Sequence, residues 1–445
     1  MTTVSHEDRQ KHLISCRATA ERARQGGDPR ELSLALIGLG SALFQTRVFD
    51  QGVAALDEAE ELANSLGDLP FLAHCLGLKA AVYQEAGRFH NAYEVIERVV
   101  EMAQAHNDLG MKCDALVAQG QILANSGDPI VALEKLQAAR SLANEIDDKR
   151  HLMKVFGTLG NVETSRAALD NAQVYFEIAA AWAAKLDERL AECGYLLNLG
   201  TVLGWQGLLP QALEVFQRVL NIARDIRERD AELAALQHLT QCLHSLKQYE
   251  QVVPLARNGI AVSQELGRHD FTFSFFETTA LAHFQLGKHN DALGILQEAA
   301  EYARSANDPN HEANMLLQLG ESYLAMELYE QALAPFEAAS RILSDRGHEA
   351  DNAHAIGKIG VALAESGRVD EAIIYHQRAL ELARQNDIAE LEAGQLIMLA
   401  LAYRDQHNLE RASECSRNAA ALFSSIGLIA DANRAHQLFT EVSAL

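Results

Sequence analysis

Between Cys193 and Glu228 two stretches with apolar residues at helical spacing flank a short turn that holds Gly207 and Pro210. The pattern returns forty residues earlier and forty residues later, almost from end to end. A bulky column runs Leu36, Leu76, Leu116, Phe156, Leu196, Leu236, Phe276, Leu316, Ile356, Leu396. Four residues on, a small column runs Gly40, Ala80, Gly120, Gly160, Gly200, Thr240, Ala280, Gly320, Gly360, Ala400. A second small column passes through Ala92, Ala212 and Ala412, and a second bulky one through Leu62, Trp182 and Leu422. Apolar residues three and four apart share one face of a helix, so each unit predicts two amphipathic helices. A fixed period without insertions over ten units marks a stacked repeat array, in which each unit buries its apolar face only against its neighbours. Gly in mid-helix costs about 1 kcal/mol against Ala, so the small column belongs where two helix backbones approach closely.

The flanking residues set the phase. Pro29, Pro70 and Pro309 precede or open first helices, Pro129 and Pro210 sit at turns between helices, and Pro254 and Pro335 fall early in second helices. Proline is tolerated near helix starts, where its missing N–H has no partner to lose. Gly-bearing turns such as Gly127-Asp128 and Gly367-Arg368 offer flexible breaks. Asp68, Asp108, Asp148, Asp308 and the pair Asn386-Asp387 offer helix caps between units. The boundaries expected are a capping helix in 1–28, from an N-cap at Ser5 to about Arg24, ten forty-residue repeats over 29–427, and a closing helix in 428–445.

In the fifth unit Leu199, Gly200, Leu203, Gly207, Ala212, Phe216 and Val219 resemble the tetratricopeptide repeat signature. The unit is longer than the usual 34 residues, which is similar to the extended variety of spindle-orientation adaptors, kinesin light chains and many bacterial regulators. The resemblance implies an all-α fold, an α-solenoid in which helix-turn-helix units form a right-handed superhelix, with partners bound along a concave groove. Several positions depart from the signature: Glu163, His283, His376, Ser416, and in the sixth repeat Thr240, Val252, Ala256 and Gly259 with Pro254 nearby. Drift in a weakly packed unit accounts for the sixth repeat; a hinge or ligand site is the sharper alternative.

Composition narrows the function. With 38 Lys+Arg against 61 Asp+Glu, the formal charge of −23 opposes nucleic acid and anionic membrane surfaces and is compatible with a basic partner. No apolar run approaches a membrane span, and the polar start MTTVSHEDRQK has no signal-peptide core. Six cysteines stand alone, with no CxxC pair, which fits a reducing, cytoplasmic setting. There is no phosphate-binding glycine loop, no GxSxG elbow and no HExxH: His311-Glu312 and His348-Glu349 lack the second histidine. The reading is a protein without catalysis, cofactor or metal.

What remains is a second stripe on the first helices, stepping by four, three and four residues and rich in amides and hydroxyls. It supplies Gln121 and Asn125, then Lys154 and Asn161, then Asn198, Thr201 and Trp205, then His238 and Gln241, and finally Gln285 and Gln318. Amides donate and accept at once, so they suit the backbone of an extended peptide, and Trp205 offers an apolar hot spot. The resemblance places this stripe in the groove. The expected function is a scaffold or adaptor that holds a protein partner's extended peptide or tail. The alternative is a sensory receptor module that changes superhelical pitch on binding peptide and signals to a separate output partner. An exposed terminal repeat leaves self-association open.

Overall fold

A computed structural model describes residues 6–444, with side chains from Gln10 onward. Ser5, expected as the first N-cap, lies outside the described residues. Among those residues there are twenty-two helices, α1 to α22 in chain order, and no strands. Most are 17 residues long, and from α1 to α13 and from α15 to α22 each packs chiefly on its neighbours in the chain. The first helix, α1 (His6–Gly26), ends two residues beyond the expected Arg24, and α22 (Ile429–Ala444) is the last. Two compact units are formed, Met1–Phe275 and Phe276–Leu445, their boundary falling inside α14 (His269–Gln285). Each unit is an all-α repeat solenoid.

The backbone repeats every twenty residues, twice as often as the apolar columns. At each helix junction one residue takes a left-handed conformation: Arg47, Gly67, Gly87, Asn107, Gly127 and so on to Gly427. The preceding helix closes around it. The Arg47 N–H donates to the Phe44 carbonyl at 3.0 Å and the Val48 N–H to the Leu43 carbonyl at 2.9 Å, the paired bonds of a Schellman motif. Val48 then accepts the first bond of the next helix from Gly52 at 3.1 Å. The turns are therefore hydrogen-bonded joints rather than flexible breaks.

The same frame sorts the expected caps. Asn107, Asp147 and Asn307 occupy the left-handed position, while the aspartate after each accepts an N–H of the next helix, as Asp108 does from Met111 at 2.8 Å. Asn386-Asp387 does not cap. Asp387 is itself left-handed, and the cap position falls on Ile388, which has no side-chain oxygen. Ala167 (φ 57°) also sits at such a joint, with no side chain to offset the strain. Because a Cβ costs about 1–2 kcal/mol in this region, Ala167→Gly is expected to raise stability by about 1 kcal/mol. Slower amide exchange in α8 (Lys149–Ser165) and α9 (Leu169–Lys185) would register it; unchanged or faster exchange would contradict it.

The small column works as a socket. A Cβ on Gly160 would lie 2.6 Å from the Phe176 ring, one on Gly200 2.5 Å from Phe216, and one on Gly320 2.6 Å from Phe336. The knob always stands sixteen residues after its socket. At two of the larger sockets the knob is small, Thr240 with Ala256 and Ala400 with Ser416, whereas Ala80 and Ala280 keep Ile96 and Leu296. Those two departures from the signature are thus compensated. In the sixth repeat Val252 and Ala256 are fully buried, and Gly259 accommodates Phe275, whose ring a Cβ there would meet at 2.4 Å. Glu163 is buried with Arg166 on its carboxylate at 2.7 Å, His283 is buried, and Ser416 bonds the Ala412 carbonyl of its own helix at 2.9 Å.

Candidate functional site

The faces of the first helices left free by core packing carry the polar stripe. On α10 (Arg189–Trp205) the residues Leu196, Leu199, Gly200 and Leu203 are buried, which turns Asn198 and Trp205 outward and leaves Thr201 at the margin. On α12 (Arg229–Ser245), burial of Leu236, Leu239, Thr240 and Leu243 turns Gln241 outward and leaves His238 half-buried at the margin. Between the two helices opens a cavity of about 390 Å³. Thr201, Trp205, His238 and Gln241 rim it, and Phe216 of α11 (Leu209–Asp225) lies at its floor. The His238 ring stacks on Phe216 with centroids 4.7 Å apart and planes 7° apart. Burial pushes the His238 imidazole below its ordinary value, so it is neutral at pH 7 and the cavity carries no full charge. Trp205 remains 63% exposed, an uncommon state for so large an apolar side chain.

The remaining expected residues are distributed otherwise. Asn198 donates to Asn161 across neighbouring repeats at 3.2 Å. Asn125 donates to Gln84 at 3.2 Å and accepts from Gln121 at 3.1 Å. The exposed amides thus bond from one first helix to the next as a ladder. Lys154 is neutralised by Asp114 at 2.8 Å and is not part of the cavity. In the second unit Gln285 is exposed, while Gln318 lines a separate cavity of about 440 Å³ and donates to Glu277 at 2.7 Å.

Phe216 and Glu277 are contacts that a stripe drawn on one helix face does not contain. Phe216 belongs to a second helix, and Glu277 stands four residues before Leu281 on a neighbouring row. The cysteines offer no reactive centre: burial raises the Cys113 thiol to about 12 and those of Cys75 and Cys193 to about 11, so the nucleophilic thiolate is not populated near neutrality. Among the described residues no group of three His, Cys, Asp or Glu is placed to hold a metal ion. None of the described helices is long and apolar enough to cross a membrane.

Comparison with known proteins agrees with this architecture. Family models described as tetratricopeptide repeat match residues 191–265, 272–345 and 355–390. Over those stretches the chain is built of tetratricopeptide repeats. Over 132 residues it is 29% identical to tetratricopeptide repeat protein 29 of Homo sapiens, a match covering 30% of this chain and 28% of that protein. The apo form of RapI superposes with a TM-score of 0.51 at 15% identity, over 80% of this chain and 98% of that one. The tetratricopeptide-repeat sensor protein of the signal transduction ATPase class from Pyrococcus horikoshii gives a TM-score of 0.52 at 12% identity, over 71% and 50%. At such identities the solved structures show the fold alone. Tetratricopeptide repeats of this kind imply a surface for protein–protein interaction.

Proposed function

We propose that the chain is a non-catalytic adaptor that holds an extended segment of a protein partner along the first-helix face, the groove side of the array. The observation that carries this reading is the uncharged cavity beside Trp205. An exposed indole, a stacked neutral histidine and a rim of hydroxyl and amide groups provide an apolar anchor ringed by groups that satisfy a peptide backbone. The neighbouring Asn161–Asn198 bond is exposed, so a peptide can replace it at little cost. In this reading α1, with Leu13, Ala20 and Ala23 buried, and α22, with Ala432, Ala435, Leu438 and Val442 buried, close the ends of the array. Six free thiols, four of them buried, favour a cytoplasmic setting.

The test is affinity capture from the source cell's lysate with the wild type and with Asn161→Ala/Asn198→Ala/Trp205→Ala, after both show the same helical melting profile. A hot-spot tryptophan is worth 2 kcal/mol or more, so at least one captured protein should fall about tenfold or more with the variant. Equal capture of every partner would move the binding surface elsewhere and defeat the proposal.

A further inference from the structure

The second unit holds a counterpart of the Trp205 cavity with different chemistry. Its walls come from Ala280, Leu281 and Phe284 of α14, Leu296 of α15 (His289–Ser305), and Gln318, Glu321, Ser322 and Ala325 of α16 (Pro309–Ala325). Each wall position lies eighty residues after one in the first cavity: Ala280 after Gly200, Leu296 after Phe216, Gln318 after His238. The frame is kept and the contents change. Leu281 and Phe284 replace Thr201 and Gly204, so the wall becomes more apolar, and Glu321 replaces Gln241. Glu277 joins the rim at the position of Leu197.

The two carboxylates are not equivalent. Glu321 is paired with Lys358 at 2.7 Å. Glu277 accepts only neutral amides, from Gln318 at 2.7 Å and Asn314 at 3.4 Å, and among the described residues no Lys, Arg or His forms an ion pair with it. The amides fix its carboxylate in place without cancelling its charge. A cavity with aliphatic and aromatic walls and one held, uncompensated carboxylate at its edge matches a long basic side chain. The methylene stem covers the apolar wall while the cationic end reaches the carboxylate. Lys and Arg are the side chains that combine those parts, and the chain's charge of −23 favours encounter with basic segments.

We infer that this cavity takes a lysine or arginine side chain of the bound protein segment, with Glu277 as its counter-ion. The inference rests on the adaptor reading and assigns the chemistry of its partner. It predicts selection of basic residues that depends on Glu277 rather than on overall acidity.

The probe is a displayed library of random dodecapeptides, selected on the full chain. Enriched peptides are then synthesised and their affinities measured for the wild type, Glu277→Gln, Glu301→Gln and Trp205→Ala. Glu301 is an exposed carboxylate of α15 outside the cavity, so its variant removes the same charge elsewhere. The expected result is a recurring Lys or Arg and a roughly tenfold loss with Glu277→Gln. Glu301→Gln should be without effect, and replacing the peptide's basic residue by Gln should cause no further loss in Glu277→Gln. Peptides lacking a common basic residue, or equal losses with both glutamate variants, would overturn the inference. If those peptides still required Trp205, the adaptor reading would survive. If no peptide were enriched, or if neither Trp205→Ala nor Glu277→Gln weakened binding, both would fall.

Discussion

Phe176→Ala is expected to destabilise its repeat by about 4 kcal/mol and Gly160→Ala by about 2 kcal/mol, while the double variant loses clearly less than their sum. Phe176 is among the largest fully buried side chains, and deleting a buried ring removes its transfer energy and leaves a cavity, about 3–5 kcal/mol together. The methyl of Gly160→Ala would sit 2.6 Å from that ring, closer than any stable contact, so ring or backbone must shift at about 1–3 kcal/mol. With the ring absent, the same methyl lies in the vacated space and the clash disappears. The double variant pairs Ala with Ala, close to the small knob of the sixth repeat, where Ala256 follows Thr240. A repeat array opens locally, so the readout is amide exchange in α8 and α9 for both single variants and the double. Strict additivity would mean that socket and knob do not sense each other, and the packing rule drawn from the glycine column would be wrong.

The same socket shows what could be read from the sequence. The period of forty was legible because core packing demands the same residue size at the same place in every unit, as at Leu36, Leu76 and Leu116. Helix identity followed from the spacing of those columns. The twenty-residue backbone period was hidden because the left-handed joint accepts Gly, Asn and Asp, and here also Arg, Ala, Lys, Glu and His; a conformational requirement that many residues meet at modest cost leaves a weak mark. Departures such as Ala256 or His376 look like lost signature positions one column at a time. Ala256 makes sense against Thr240 sixteen places before it, and His376 against Gly360 and its partner Gln395.

An eighty-residue order was also invisible in single columns. The ion pairs Arg224–Glu232 at 2.8 Å, Arg304–Glu312 at 2.8 Å and Arg384–Glu392 at 2.7 Å join every second pair of repeats, and the two cavities follow the same spacing. For the site, a shared helix face accounts for Thr201 with Trp205 and for His238 with Gln241, and the structure gathers the four around one cavity. It could not show that Lys154 is spent on Asp114. Nor could it supply the floor, because Phe216 is brought there by another helix.

The strongest departure from the apolar knob carries the second large expectation. His376, 1% exposed, stands where Phe176, Phe216 and Phe336 stand in other repeats. Its Nδ1–H donates to Oε1 of Gln395 at 2.8 Å, joining α19 (Val369–Gln385) to α20 (Ala389–Asp405). Two glycines make the room: a Cβ on Gly360 would meet the His376 ring at 2.7 Å, and one on Gly357 the Gln395 amide at 2.5 Å. A buried polar pair is costly to break on one side only, since the stranded group keeps its desolvation penalty of about 1–3 kcal/mol. His376→Phe and Gln395→Leu are each expected to lose about 2 kcal/mol, and His376→Phe/Gln395→Leu to recover most of it, because an apolar pair of similar shape leaves nothing unsatisfied. The pair also confers a pH dependence. Burial pushes the His376 imidazole below its ordinary value, only partly opposed by the Gln395 bond. The unfolded chain therefore takes up the proton first. The stabilisation is complete above about pH 6.5 and is lost as pH falls toward the lowered folded value, by at most about 1.4 kcal/mol per pH unit. Amide exchange in α19 and α20 at pH 7.5, 6.5 and 5.5 should show acid sensitivity in the wild type that the double variant lacks. A double variant as unstable as either single one, or equally acid-sensitive, would mean that His376 and Gln395 do not act as one buried unit.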